Sequence, residues 1–223
     1  MWILLLLIFI SALPTIGVFI WFRLVKYPLT LPVFLCALLI GALALLVAGF
    51  FQAFFPPLDN LNLRTLLFRL MVQIALTEEA GRLLILLVMS LFLARFTKAP
   101  ADSALPVENF GSAVGLLAGL GFAIVETATY GAASPRIALL RAFTAAPLHG
   151  ACGSRVGITV FNFRAAPVRG VFRFFSAVII HGMYNFMVIN PDMPIVFPIL
   201  LVAASLFSAL QTVRPRNSAA GAV

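Results

Sequence analysis

Seven stretches of roughly 20 mostly apolar residues follow one another along this chain, at about 2–22, 29–55, 66–94, 110–131, 138–160, 172–190 and 195–213. A helix needs about 20 such residues to cross the hydrocarbon core of a bilayer. No single water-soluble core could bury them all. Of the 223 residues 63% are hydrophobic and only 10% charged, against about 45–50% and about 25% in a soluble domain. With a mean hydropathy of +1.12, much of the surface must face lipid. The expected fold is all-α: a polytopic helical membrane protein of about seven transmembrane helices, forming one domain over 1–223. No linker, low-complexity tract, soluble module or convincing internal repeat interrupts it. The third and fifth stretches are the least hydrophobic, and both carry polar residues well inside.

The net charge of +8 and a pI near 10.8 would suit a nucleic-acid binder, but the basic residues stand singly or in pairs between apolar runs. Cytoplasmic membrane loops look like this, so the expected surroundings are a lipid bilayer and no nucleic acid. The basic residues also set an orientation. Arg23, Lys26, Arg95, Lys98, Arg164, Arg169, Arg173, Arg214 and Arg216 fall on one side, and Arg64, Arg69, Arg136 and Arg141 on the other. The excess places the C-terminus in the cytoplasm and the N-terminus outside. The first run, Met1 to Phe22, lacks the preceding basic stretch of a cleaved signal peptide and is read as a retained span. Cys36 and Cys152 lie in apolar runs and are read as small packing residues, with no disulfide framework.

Four polar features stand inside these runs. The first is Thr77-Glu78-Glu79-Ala80-Gly81-Arg82 in the third. An ionised residue at a helix centre costs about 2.5–3.5 kcal/mol even on a lenient insertion scale. Arg82 is four residues after Glu78 and three after Glu79, so it can reach either on one helix face. An internal ion pair explains one glutamate but not two. The second is Phe122-Ala123-Ile124-Val125-Glu126 in the fourth run, where Gly111, Gly115, Gly119, Phe122 and Glu126 share a face. Such glycines admit a close neighbouring helix, which puts Glu126 against protein instead of lipid.

The third feature is Ala146-Pro147-Leu148-His149-Gly150. Ala145, His149, Gly153 and Gly157 form another small-residue ridge, and Pro147 should bend the helix one turn before itself. A histidine bonded to a backbone carbonyl is the plainer reading of His149. Cys152, three residues on, has a metal-ligand spacing but is small. The fourth is His181-Gly182-Met183-Tyr184-Asn185, where His181 and Asn185 face the same way one turn apart. Asn185 could orient the imidazole or donate to a developing oxyanion. An ordinary interhelical hydrogen bond, worth about 0.6 kcal/mol, is the plainer reading.

Depth joins the four. In this topology Glu78, Glu126, His149 and His181 lie about 13, 6, 12 and 10 residues from the outer ends of their spans, or roughly 9–20 Å below the outer surface at 1.5 Å per residue. Helices running in alternate directions thus put their polar residues into one layer. The inference is one polar cavity, open toward the outer leaflet.

The motifs Glu78-Glu79-x-x-Arg82, Phe122-x-x-x-Glu126 and His181-x-x-x-Asn185 resemble, in order and spacing, the signatures of the PrsW family of intramembrane proteases, related to the group of the CAAX prenyl endopeptidases. The likeness covers roughly 60–190, the expected catalytic core. Arginine stands at 82 where the family often has lysine, and asparagine at 185 where it often has aspartate. The resemblance implies an integral, multi-pass protein of the bacterial inner membrane. Its partner would be a membrane-anchored protein substrate, for example an anti-sigma factor, cut near the outer membrane boundary. It implies Glu78 or Glu79 as general base toward water, with Arg82 keeping the other ionised. His149, His181 and Asn185 would be stabilising donors, and Glu126 a second acid or orienter. A divalent metal such as zinc is the alternative cofactor: two histidines and a glutamate, here His149, His181 and Glu126, can make a three-ligand site with a free fourth position. The His-Glu-x-x-His helix is absent, which favours metal-free glutamate catalysis.

Two other function classes compete. Membrane acid and histidine chains relay protons in transporters, but the two related halves of a transporter are missing and the polar layer lies too far to one side for a midplane site. A non-catalytic scaffold should have lost one of the polar groups, and all are present.

Overall fold

The structure is a computed structural model that describes residues 2–56, 62–96 and 105–214. Every regular element among them is helical: α1 (Trp2–Leu24), α2 (Leu31–Gln52), α3 (Leu63–Arg69), a π-helical segment (Leu70–Leu76), α4 (Thr77–Phe96), α5 (Val107–Gly131), α6 (Pro135–Phe143), α7 (Ala145–Asn162), α8 (Pro167–Ile189) and α9 (Val196–Val213). Five of these are long and apolar enough to cross a membrane: Leu5–Leu24 of α1, then α2, α5, α8 and α9. The expected count of seven is therefore not met by length and apolarity, and the shortfall lies in the two polar runs. The third run is carried by α3, the π-helical segment and α4, with Glu78, Glu79 and Arg82 inside it. The fifth is broken at Thr144, whose backbone (φ −123, ψ −66) leaves the helical region between α6 and α7. That break falls one turn before Pro147. Proline then sits in the first turn of α7, where its missing N–H costs nothing. Lys98 and Arg216, two of the residues that set the expected orientation, lie outside the described residues.

In lipid, burial sorts side chains by size as much as by polarity, because small residues let helices approach. On α2, Ala37, Ala44 and Ala48 are buried while Leu35, Leu39 and Leu46 are exposed to the surroundings. The same logic makes α5 the axis of the bundle, packed against α1, α2, α6, α7 and α9. Its glycine ridge meets the ridge of α7: a Cβ at Gly115 would collide with the carbonyl oxygen of Gly153, and one at Gly119 with that of His149. The close seam fixes His149 of α7 against Phe122 and Glu126 of α5. The ring centroids of Phe122 and His149 are 4.9 Å apart.

On the other side of the site α8 packs against the π-helical segment. Gly182 leaves room there for Met71, whose sulfur a Cβ would strike. The wide turns of the π-helical segment end at Thr77, whose hydroxyl donates to the carbonyls of Gln73 (2.6 Å) and Ile74 (3.0 Å). Glu78 is the next residue. π-helical turns often mark functional positions, and this one delivers two glutamates to the bundle interior.

Candidate active site

The six ionisable residues singled out in the sequence come together. Glu79 and Arg82 are wholly buried and form an ion pair on one face of α4. Of the two glutamates that Arg82 could reach, the guanidinium takes Glu79, and it lies 4.7 Å from the ring centre of Phe122. Glu79 also holds His181 of α8, with Oε1 2.9 Å from Nδ1. A carboxylate only accepts, so Nδ1 carries a hydrogen, and in the neutral form of the ring Nε2 keeps its lone pair. Nε2 lies 3.6 Å from Oε2 of Glu78.

A second unit of the same kind stands on the α5–α7 seam. His149 Nε2 is 2.7 Å from Oε2 of Glu126, and its Nδ1 is 3.4 Å from Nη2 of Arg82. Arginine only donates, so Nδ1 bears the lone pair and Nε2–H is given to Glu126. The two imidazoles meet edge to face, 4.8 Å between centroids. Each histidine is thus held by a carboxylate at one nitrogen; at the other, His149 accepts from Arg82 and His181 approaches Glu78. The Phe122-x-x-x-Glu126 motif supplies both the aromatic bed for Arg82 and His149 and the carboxylate that orients His149.

Glu78 differs from its neighbour. Its Oε1 accepts from Gln52 Nε2 of α2 at 3.2 Å, while the buried Oε2 has no hydrogen-bond partner among the described residues. Gln52 also reaches the hydroxyl of Thr77. Asn185, half-buried on the His181 face of α8, makes no side-chain hydrogen bond to these groups.

The donor set can be tested for a metal. One donor atom each from Glu78, His149 and His181 lie within 4.8 Å of one another, all buried. Metal-bound histidines commonly give their second nitrogen to a carboxylate, as His181 does to Glu79 and His149 to Glu126. The unpartnered Oε2 of Glu78 completes a three-ligand set of nitrogen and oxygen that suits zinc and leaves a fourth position. The residues fit such an ion. This group differs in one member from the expected set of His149, His181 and Glu126: Glu78 lies with the histidines, while Glu126 is engaged by Nε2 of His149 and by Arg141 Nη2 at 2.6 Å.

One further expectation is revised. The polar layer closes on itself instead of lining an open cavity: Glu78 is 4% exposed and both histidines 2%. Two partners escaped the sequence reading, Gln52 and Arg141. Gln52 ends an otherwise apolar run, and a lone amide so placed is the signal that could have found it. Arg141 reads as a loop charge. Cys152 does not join the donor set; its thiol lies 3.5 Å from the carbonyl of Ala177.

A family model described as PrsW family intramembrane metalloprotease matches residues 28–210, a longer stretch than the motifs alone cover. No curated protein and no solved structure matches the chain.

Proposed function

Because the chain belongs to the PrsW family of intramembrane metalloproteases, we propose that it hydrolyses a peptide bond of a membrane-anchored protein near the outer membrane boundary, with Glu78 as the group that takes the proton from water. One observation carries this reading: Oε2 of Glu78 is buried without a hydrogen-bond partner, 3.6 Å from Nε2 of His181. Two acceptors converging on one point suit a water molecule, whose hydrogens satisfy both.

The residues divide the work as follows. Water oxygen attacks the scissile carbonyl carbon while its proton passes to Glu78. The carbonyl oxygen gains charge, which the uncommitted amide of Asn185 stabilises as a donor. The C–N bond then breaks, and the proton held at the Glu78–His181 pair goes to the leaving nitrogen. Glu79 keeps His181 in the tautomer with Nε2 free, and Arg82 keeps Glu79 charged. Glu126 acts as the orienter of His149, more than as a second acid. A divalent metal held by Glu78, His149 and His181 would supply Lewis acidity and a more acidic water, with Glu78 then serving to hold the ion in place of taking the proton.

The depth of the cluster supports the outer boundary. Glu78 and Glu79 open α4, His149 lies in the second turn of α7, and Glu126 and His181 lie in the C-terminal halves of α5 and α8. All four helices bring these residues toward the side of the bundle that carries Arg64, Arg69, Arg136 and Arg141, the outer side by the basic-residue count. A bacterial inner membrane and an anti-sigma factor as substrate agree with the family resemblance.

Reconstitution into lipid vesicles with single-span membrane proteins, followed by mass spectrometry of the products, tests the reading. Cuts should cluster within a few residues of the outer boundary. A chelator should abolish cutting, with zinc restoring it, if the metal is required; undiminished cutting would assign the chemistry to the glutamate alone. Folded protein that cuts none of the substrates would overturn the proposal.

A further inference from the structure

Beside the buried cluster lies a cavity of about 150 Å³ between α6, α8 and α9. Leu140, Val188, Ile195 and Ile199 form apolar walls, and Arg141, Thr144 and Tyr184 bring polar atoms to it. It is one carboxylate away from the reacting centre: Arg141 binds the same oxygen of Glu126 that binds His149, at 2.6 and 2.7 Å. Tyr184, one turn from His181, donates to the hydroxyl of Thr144 at 2.8 Å and so ties α8 to the α6–α7 break. The cavity is therefore built from the elements that hold the two histidines.

Two observations say what enters it. An apolar cavity of about this size is large enough for a benzene ring, hence for a leucine or phenylalanine side chain. Arg141 leaves one donor unused: its Nε is buried without a hydrogen-bond partner among the described residues, while the guanidinium rests 4.2 Å from the ring centre of Tyr130. A buried donor left unpaired costs free energy, and a peptide carbonyl would satisfy it. The wall residues Leu140, Val188, Ile195 and Ile199 are about half-exposed, so a chain embedded in lipid reaches the cavity sideways.

We propose that this cavity is a subsite for a large apolar side chain flanking the scissile bond, and that Arg141 holds the substrate backbone at its inner end. The proposal rests on the protease reading and names its substrate class: membrane segments with leucine, phenylalanine or a similar residue beside the cut. Arg141 is a binding residue in this account, and Ile199 sets the size limit.

The test uses the full chain in vesicles of phosphatidylethanolamine and phosphatidylglycerol. A library of single-span peptides, randomised around the outer end of the span, serves as probe, and mass spectrometry reads the cleaved ends. The wild-type chain should select large apolar residues at one flank of the cut. Ile199→Phe, a change at a half-exposed position that leaves thermal unfolding in place, should narrow the cavity and shift that flank to alanine or glycine. The leucine-to-alanine ratio in kcat/KM should fall by roughly tenfold or more, with the other positions unchanged. Arg141→Lys should raise KM for every peptide while kcat holds; an unaltered KM removes Arg141 from the account. Cutting that still requires Glu78 but shows no flank preference, or an Ile199→Phe profile equal to wild type, overturns the subsite and leaves the protease reading standing. Lipid acyl chains as occupants give that second result. If the folded wild-type chain cuts none of the peptides, the protease reading falls and the subsite with it.

Discussion

The two carboxylate–histidine units of the site are alike in bonding and unlike in setting. Glu79–His181 spans α4 and α8 and is sealed: both side chains are almost wholly buried, and Arg82 closes the ion pair. Glu126–His149 spans the α5–α7 seam, and its carboxylate is 13% exposed beside a second, partly exposed arginine, Arg141. The same pair of side chains is thus used twice, once almost wholly enclosed and once beside a partly exposed carboxylate and arginine. The inner unit must carry both fold and chemistry. The outer unit can be altered with less harm to the fold.

Breaking the inner unit should give the largest effect. Glu79→Gln removes the charge that Arg82 needs in a site neither side chain can leave. Breaking a buried ion pair from one side costs about 3–5 kcal/mol, so thermal unfolding should shift markedly downward and cleavage should vanish with it. The measurement is thermal unfolding in detergent, paired with vesicle cleavage. A Glu79→Gln protein that unfolds like wild type would show that the ion pair is not what holds α4 in place.

Glu126→Gln should do less. Glutamine can still accept from His149, and Arg141, 20% exposed where Arg82 is wholly buried, sits in a less enclosed place. Removing such an outer carboxylate typically lowers activity about 10–100-fold, and kcat should fall in that range with little change in unfolding. A loss of stability equal to that of Glu79→Gln would erase the distinction between the two units.

The sequence made one half of this comparison easier to see than the other. Ionisable residues inside apolar runs are costly, so Glu78, Glu79, Arg82, Glu126, His149 and His181 stood out before any helix was placed. The glycine ridges of α5 and α7 were legible because close helix approach needs small residues at fixed spacing. Three features were not. The π-helical turn before Glu78 changes the face on which a residue emerges without any compositional mark. The break at Thr144 was readable only as a bend near Pro147, so one apolar run became two helices. The division of labour between Glu78 and Glu79 depends on which carboxylate Arg82 and His181 take, and both lie within reach by spacing alone. The carboxylate grouped with the two histidines is hidden for the same reason: Glu126 and Glu78 each approach a histidine, and spacing alone does not tell which keeps a free oxygen.

The contrast between adjacent glutamates is the centre of the account, and Glu78→Gln tests it most directly. Glutamine keeps the volume of glutamate and can keep the bond from Gln52, so unfolding should match wild type. It cannot take a proton from water, so kcat for vesicle cleavage should fall by about 10²–10⁴-fold. A Glu78→Gln protein that cuts within a few-fold of wild type would contradict the account and leave Glu78 a packing residue.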